Sequence, residues 1–151
     1  MWISTKAQYG MRALVEVALG GKEPTSLKTV ADRQSLSHQY LEQIFAVLRR
    51  AGIVESVRGA HGGYRVARPL EQVPALEVVE LLEGSVAPVT CIDDEGTCER
   101  VGNCSTEVLW RRVDAAVRQV LGSISLADLV AQRRILTLGP VPEAEALGRV
   151  N

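Results

Sequence analysis

The chain has 151 residues, of which 46% are hydrophobic and 23% charged, the balance of a globular protein with one domain or one domain plus an extension. This composition excludes a chain that is disordered over most of its length, a collagen and a coiled coil alone. No apolar run approaches the ~20 residues that span a bilayer, and the first residues lack the apolar region of a signal peptide. We therefore expect a cytoplasmic protein with no membrane partner.

The net charge of −1 conceals an asymmetry between the two halves of the chain. Residues 1–70 contain ten Lys and Arg against five Asp and Glu, a net charge of +5, whereas residues 71–151 contain seven against thirteen, a net charge of −6. Such a split indicates that only the first half meets a polyanion. A chance imbalance of solvated charges would look the same, so the motifs must decide between the two interpretations.

Three helices are predicted within the first fifty residues. Thr5 and Gln8 fit a capping box at the start of the first helix. Ser26 can cap a short second helix, and Ser37 can cap a third that runs to about residue 50. Two short helices joined by a tight turn are typical of a helix-turn-helix, although an ordinary helical hairpin has the same pattern.

The third predicted helix has one apolar face and one polar face. The apolar stripe consists of Leu41, Ile44, Phe45 and Leu48. The side chains that lie largely off this stripe are His38, Gln39, Glu42, Gln43 and Arg49. A helix of this kind can pack on a core while its polar face enters a DNA major groove.

A β-hairpin is predicted directly after this helix. Residues 53–58 and 64–67 have strand composition, and the glycine-rich segment 59–63 forms a flexible tip that can approach a backbone closely. Hydrogen-bond donors on or near the hairpin are Arg58, His61, Arg65 and Arg68. A basic hairpin after a helix-turn-helix is the wing of a winged helix, which can reach phosphates or a minor groove.

Three further helices are predicted in the second half. One begins near Pro74 and ends at Gly84, a long one runs from residue 105 or 106 to about residue 121, and Ser125 to Asp128 forms a capping box for a short helix through Arg134. The long helix has more apolar surface than one small domain easily covers. It either packs on its own domain or, as we expect, pairs two subunits on a pseudo-palindrome.

These elements define a mainly α fold with a small β-hairpin wing, a winged helix-turn-helix followed by a long C-terminal dimerisation helix. The predicted units are a winged-helix DNA-binding domain over residues 1–84, a cysteine-rich loop over 85–105, the dimerisation helix and a short helix over 106–135, and a mobile tail over 136–151.

All three cysteines of the chain, Cys91, Cys98 and Cys104, lie within fourteen residues. An odd number cannot form a closed disulfide framework, and the absence of a Cys-x-x-Cys pair argues against a standard zinc ribbon. The prolines and glycines of the segment favour a loop, which can bring three sulfurs together for zinc or an iron–sulfur cluster. The surrounding acidic residues oppose a nucleophilic cysteine, so no enzyme is expected. Three unliganded thiols in a surface loop remain the alternative.

Several segments resemble the winged-helix family of iron–sulfur cluster regulators that includes IscR, NsrR and RirA. The matching pieces are Ser4-Thr5-Lys6…Tyr9, Tyr40-Leu41-Glu42-Gln43-Ile44-Phe45, Leu48-Arg49-Arg50-Ala51-Gly52-Ile53-Val54, the most specific segment Val57-Arg58-Gly59-Ala60-His61-Gly62-Gly63-Tyr64, the three cysteines, Leu109-Trp110 and Ile124-Ser125-Leu126-Ala127-Asp128-Leu129. The resemblance covers about residues 1–135. It implies a homodimeric regulator of transcription with one cluster in each subunit.

The resemblance also implies which residues meet DNA. The positions that match family contacts are Ser37, Tyr40, Glu42, Gln43, Arg58 and Gly59, and Gln39 stands where IscR has Ser. We add His61 and Arg65 from the chemistry of the wing. Gln43 can pair with adenine and Glu42 can accept from cytosine.

The chain departs from the family at the fourth cluster ligand. IscR-like proteins have a His three residues after the last Cys, and Glu107 occupies that position here. Some NsrR-like relatives use an acidic residue near the N-terminus of the other subunit, where this chain has Gln8. We therefore expect Cys91, Cys98, Cys104 and Glu107 to hold a 2Fe-2S cluster, with 4Fe-4S as the alternative.

The sequence thus predicts a homodimeric regulator, acting as a repressor, that binds double-stranded DNA at a pseudo-palindromic operator. It is expected to sense iron–sulfur supply, redox state or nitric oxide through the cluster. The alternative functions are a zinc-stabilised winged-helix regulator and a protein-binding adaptor without a cluster.

Overall fold

The computed structural model describes residues 3–138. Within that range the helices are α1 (Thr5–Leu19), α2 (Leu27–Gln34), α3 (His38–Arg50), α4 (Ala75–Glu83), α5 (Thr90–Asp93), α6 (Glu107–Ser123) and α7 (Leu126–Leu138). The strands β1 (Val54–Val57) and β2 (Gly63–Val66) form an antiparallel hairpin. Short 3₁₀ turns occupy Leu70–Gln72 and Glu95–Thr97. The prediction of a mainly α fold with a β-hairpin wing is confirmed.

The N-cap of the first helix lies one residue earlier than the sequence predicts. Ser4, not Thr5, has the extended backbone of an N-cap, and its hydroxyl accepts a hydrogen bond from the backbone N–H of Lys6 at 3.1 Å. The side chain of Gln8 donates to the carbonyl of Ile3 at 2.8 Å instead of closing a capping box with Thr5. Two hydroxyl residues stand side by side here, and the sequence pattern favoured the wrong one.

One hydrophobic core holds the amino-terminal half together. Its largest fully buried side chains come from α1, α3 and the residues around β1, and they include Leu14, Leu41, Ile44, Phe45, Leu48 and Ile53. The four residues of the predicted α3 stripe are all in this set, because positions spaced three and four apart share one face of a helix. The polar face of α3 is consequently left for solvent or a ligand.

Helix α6 packs on α4 and helix α7 packs on α1, and the junction between α6 and α7 is tied to the start of α4 by backbone hydrogen bonds. The backbone N–H of Ala75 donates to the carbonyl of Ile124, and the N–H of Leu126 donates to the carbonyl of Val73, both at 2.8 Å. α7 buries Leu126 and Val130. The helix runs beyond the predicted end near residue 134, so residues 136–138 are helical and not part of a tail. Residues 139–151 of the predicted mobile tail lie outside the described range.

The segment between α4 and α6 is more ordered than the predicted loop. Cys91 lies in the single turn of α5, and a 3₁₀ turn follows it. The side chain of Asp94 caps that turn by accepting from the backbone N–H of Gly96 at 3.0 Å. Asp is frequent in turns because its side chain can bond nearby backbone groups in this way. Over residues 3–138, no helix combines the length and apolar character that crossing a membrane requires.

Candidate functional site

Serine side chains cap both helices of the helix-turn-helix. Ser26 caps α2 by accepting from the N–H of Thr29 at 3.1 Å, and Ser37 caps α3 by accepting from the N–H of Tyr40 at 3.3 Å. Between them Ser35 takes a left-handed backbone conformation with φ of 54°. Both predicted caps are confirmed, and each satisfies a backbone N–H group in the first turn of its helix.

The outer face of α3 presents the side chains expected to read DNA. The exposed residues on it are Ser37, His38, Gln39, Glu42, Gln43, Arg49 and Arg50. Tyr40 is only half-buried, and its ring meets that of Tyr9 edge to face at 6.4 Å. Nδ1 of His38 lies 3.6 Å from Oε1 of Glu42. The face therefore carries an amide pair and a carboxylate that can meet base edges, with basic residues at its end.

The hairpin is clamped to the start of α2. The backbone N–H of Thr25 donates to the carbonyl of Tyr64 at 2.8 Å, and the N–H of Tyr64 donates back at 2.9 Å. A Cβ atom on Gly63 would lie 2.3 Å from the carbonyl oxygen of Thr25, so only glycine permits this approach. The ring of Tyr64 also packs on Phe45 at 5.1 Å. Sequence reasoning missed this clamp because Thr25 lies some forty residues away and carries no local signal.

The basic residues of the wing fall into two groups. Arg58, Gly59 and His61 are exposed at the tip, and Gly59 has φ of 118°. Arg65 instead pairs with Glu55, its partner across the two strands. Arg68 pairs with Glu77 of α4 at 2.7 Å. The tip therefore presents its donors outward, whereas the guanidinium of Arg65 is shared with a carboxylate.

The three cysteines meet at one cavity of about 90 Å³. Its other walls are mostly apolar, and the complete lining is Val89, Cys91, Cys98, Val101, Cys104, Thr106, Glu107 and Trp110. All three thiols are free and half-buried. Cys91 lies in the turn of α5, Cys98 and Cys104 lie in the segment that follows, and Glu107 begins α6. The residues expected from the sequence therefore line one cavity.

The donor set suits a soft metal centre, because thiolates are the ligands that zinc and iron–sulfur clusters prefer. Within residues 3–138, however, no group of three or more Cys, His, Asp or Glu side chains is arranged closely enough to hold a metal ion. The residues fit such a group in type and location, and their side chains would have to come closer together to hold it.

Glu107 has two hydrogen-bond partners on the protein. Its Oε2 accepts from the backbone N–H of Gly102, and its Oε1 accepts from Nε of Arg111, each at 2.8 Å. These bonds, the one from Arg111 first, lower the pKa of Glu107 below its ordinary value. The carboxylate is therefore charged, as a ligand must be, but it is already engaged.

The thiol of Cys104 has a hydrogen-bonding neighbour in Thr106. Its sulfur lies 3.3 Å from the hydroxyl oxygen of Thr106. Hydrogen bonding to the side chain of Thr106, and then to its backbone N–H, lowers the pKa of Cys104 below its ordinary value, although desolvation and the negative charge of Glu107 oppose this. A thiol with a lowered pKa gives up its proton to a metal ion more readily.

A helix-turn-helix followed by a clamped hairpin with an exposed, glycine-rich basic tip defines a winged-helix DNA-binding protein. The model of the Rrf2 family, described as an iron-dependent transcriptional regulator, matches residues 3–132. The chain belongs to the Rrf2 family of transcription regulators, as the resemblance in its sequence predicted.

Individual relatives agree over most of their length. CymR of Bacillus subtilis is 41% identical over 132 residues, which are 87% of this chain and 91% of CymR. IscR of Xenorhabdus nematophila is 38% identical over 137 residues, 90% of this chain and 83% of IscR. These relatives are named transcription regulators, which confirms that the protein is not an enzyme.

Solved structures give the same assignment. The structure of T. potens IscR superposes with a TM-score of 0.75 at 37% identity, covering 93% of this chain and 94% of that one. The structure of CymR, the global cysteine regulator of B. subtilis, has a TM-score of 0.74 at 40% identity and covers 87% of this chain and 98% of its own. The winged-helix fold is thereby confirmed.

Proposed function

We propose that this Rrf2-family regulator is a homodimer that senses iron–sulfur supply, redox state or nitric oxide through a cluster on Cys91, Cys98 and Cys104. The observation that carries the proposal is the shared cavity, since every cysteine of the chain lines it together with Glu107. We take Glu107 as the fourth ligand and a 2Fe-2S cluster as the occupant. When bound, the cluster supplies a redox-active, nitric-oxide-reactive centre.

DNA contact is assigned to α3 and the tip of the wing. Gln43 and Glu42 are proposed to read base edges in the major groove, with Ser37, Gln39 and Tyr40 beside them. Arg58, Gly59 and His61 are proposed to approach the phosphate backbone or the minor groove. Arg65 is given a secondary role, because Glu55 already shares its charge.

The dimer contact is assigned to α6. This helix buries no residue, and Val108, Leu109 and Val120 are exposed by 64%, 51% and 57%. Covering these exposed apolar side chains with a second copy of the chain would remove them from water, which favours association. Two copies joined along α6 would present two copies of α3 to a pseudo-palindromic operator.

The route from cluster to DNA runs through α4. The guanidinium of Arg118 on α6 bonds Glu80 of α4 at 2.6 Å and Asp114 at 3.0 Å. α4 in turn packs on α1. Leu82 of α4 lies so close to Gly10 of α1 that a Cβ atom on Gly10 would be 2.4 Å from Cδ1 of Leu82. Closing the cysteine segment around its ligand would thus move α6 against a tightly packed winged helix.

The proposal is tested by purifying the protein without oxygen and measuring its visible absorbance, iron and sulfide. We expect a coloured protein with iron and sulfide in similar amounts. Replacing Cys91, Cys98 or Cys104 by Ala should remove the colour, whereas Ser105→Ala, a neighbouring exposed position, should retain it. Stoichiometric zinc without sulfide would contradict the cluster and leave a structural metal site.

A second candidate function follows from the similarity to CymR. A regulator that responds to cysteine without a cluster would contain no sulfide in the same measurement. Its three cysteine variants would then retain DNA binding and any response to added cysteine. The iron and sulfide content therefore separates the two functions directly.

A further inference from the structure

Glu107 has to serve two partners if it is a cluster ligand. Its carboxylate lines the cysteine cavity, yet one of its oxygens accepts from Arg111 and the other from the backbone N–H of Gly102. Residues four apart on a helix are neighbours on its surface, so the geometry of α6 brings Arg111 beside Glu107. The side chain of Glu107 is only 21% exposed, which shields the pair partly from water.

We propose that Arg111 competes with iron for the carboxylate of Glu107 and thereby keeps the cluster labile. The proposal rests on the cluster function given above and names the residue that tunes it. To bind iron, Glu107 must either leave the guanidinium or share its electron pairs with it. Both arrangements weaken the iron–oxygen bond, so the predicted direction does not depend on which of them occurs.

The same contacts explain how Glu107 would move. The hydrogen bond from Gly102, a residue with φ of 79°, ties the carboxylate to the chain just before Cys104. When Glu107 turns toward the cavity, this bond draws the segment carrying Cys104 with it. Arg111 opposes that movement by holding the carboxylate against α6.

A positive charge near a cluster with three thiolates has a second, general effect, because it stabilises the negative charge of the site. This effect must be separated from competition for Glu107. Arg112 provides the matched control, since it lines the same outer groove beside Cys104 and Arg111. Arg112→Ala removes the same charge one residue away.

The experiment follows the loss of visible absorbance from the anaerobic, cluster-loaded protein after addition of an iron chelator. We expect Arg111→Ala to lose absorbance about two- to fivefold more slowly than Arg112→Ala, as suits the energy of a partly exposed ion pair. Arg111→Lys, which retains a charge that can pair with Glu107, should return the rate close to that of the unchanged protein.

The same comparison in a Glu107→Ala background completes the test. There the competition is absent, so Arg111→Ala and Arg112→Ala should lose absorbance at the same rate. Equal rates in the presence of Glu107, or a difference that persists without it, would overturn the competition while leaving the cluster function intact. An anaerobically purified protein that contains no iron and sulfide would overturn both proposals.

Discussion

The winged-helix half differs from the cysteine segment and α6 in how many hydrophobic side chains it buries. Nearly all fully buried hydrophobic side chains lie before residue 87, and the later exceptions in the described range are Leu126 and Val130 of α7. Between them, α6 spans seventeen residues and buries none. The winged helix is therefore held by its own buried core, whereas the cysteine segment and α6 leave apolar surface uncovered. We expect a ligand in the cysteine cavity and a second copy along α6 to contribute more to the stability of this region than to that of the winged helix.

The sharpest test of this contrast compares a fully buried residue of the winged helix with a half-buried residue of the cysteine segment. Phe45 is fully buried and packs on Tyr64. Phe45→Ala should lower the free energy of unfolding by about 3–5 kcal/mol, through lost burial and a cavity. Val101→Ala, in the wall of the cysteine cavity, should cost less than about 1 kcal/mol. Urea denaturation measures both, and equal costs would mean that the cysteine segment is part of the core.

The contrast also predicts where subunits meet. Val120→Glu places a charge on the apolar face of α6 and should weaken dimerisation by about a hundredfold or more, because an unpaired charge would be buried. Gln119→Glu adds the same charge at the neighbouring exposed position and should change the dissociation constant little. Sedimentation over a concentration series measures both. A Val120→Glu variant that dimerises like Gln119→Glu would place the contact elsewhere.

Within the winged helix, substitutions in α3 and in the wing should affect DNA binding differently. Gln43→Ala should cost about 1–3 kcal/mol of discrimination at one base pair per half-site and spare binding to unrelated DNA. Arg58→Ala should weaken binding to both duplexes and lower the slope of affinity against salt by about one charge per subunit. Binding to a duplex selected from a random pool and to a scrambled one, across a salt series, distinguishes them. If Gln43→Ala weakens both duplexes equally, α3 is not the base reader.

The smallest expected effect concerns the start of α7. The backbone N–H of Ser125, and then its hydroxyl, bond Asp128 and hold the pKa of that carboxyl below its ordinary value of about 3.9. The stabilisation is therefore present above that value and is lost as the pH falls through the lower pKa of the folded protein. Asp128→Asn should be less stable than the unchanged protein at pH 7, and the two denaturation midpoints should converge in acid. A constant difference across this range would contradict the capping role.

Local signals predicted most of the first half. The apolar stripe of α3, its Ser37 cap and the capping box of Ser125 and Asp128 all depend on residues within one or two turns of each other. Such patterns can be read from sequence because the interacting groups are neighbours along the chain. The error at Ser4 and Thr5 arose where two residues offered the same local chemistry.

Features that depend on distant residues could not be predicted in the same way. Glu16 is buried in α1, where the sequence pattern gives no reason to expect a charged residue. Its burial is possible because Gln34 donates a hydrogen bond to its carboxylate at 2.8 Å and a guanidinium nitrogen of Arg33 lies 3.7 Å from that carboxylate. The pairing of Thr25 with Tyr64 likewise joins elements that only the fold brings together. At the candidate site, the four-residue spacing of Glu107 and Arg111 is a local signal that the sequence analysis did not use, whereas the bond from Gly102 depends on the shape of the segment between it and Glu107.

We expect the state of the cysteine site to control the affinity of the winged helix for DNA. This affinity is measured without oxygen on one selected duplex, for the loaded protein and for the same protein after chelation. It should change tenfold or more between the two states, and it should not change for Cys104→Ala. Equal affinities in the loaded and stripped forms of the unchanged protein would contradict this expectation.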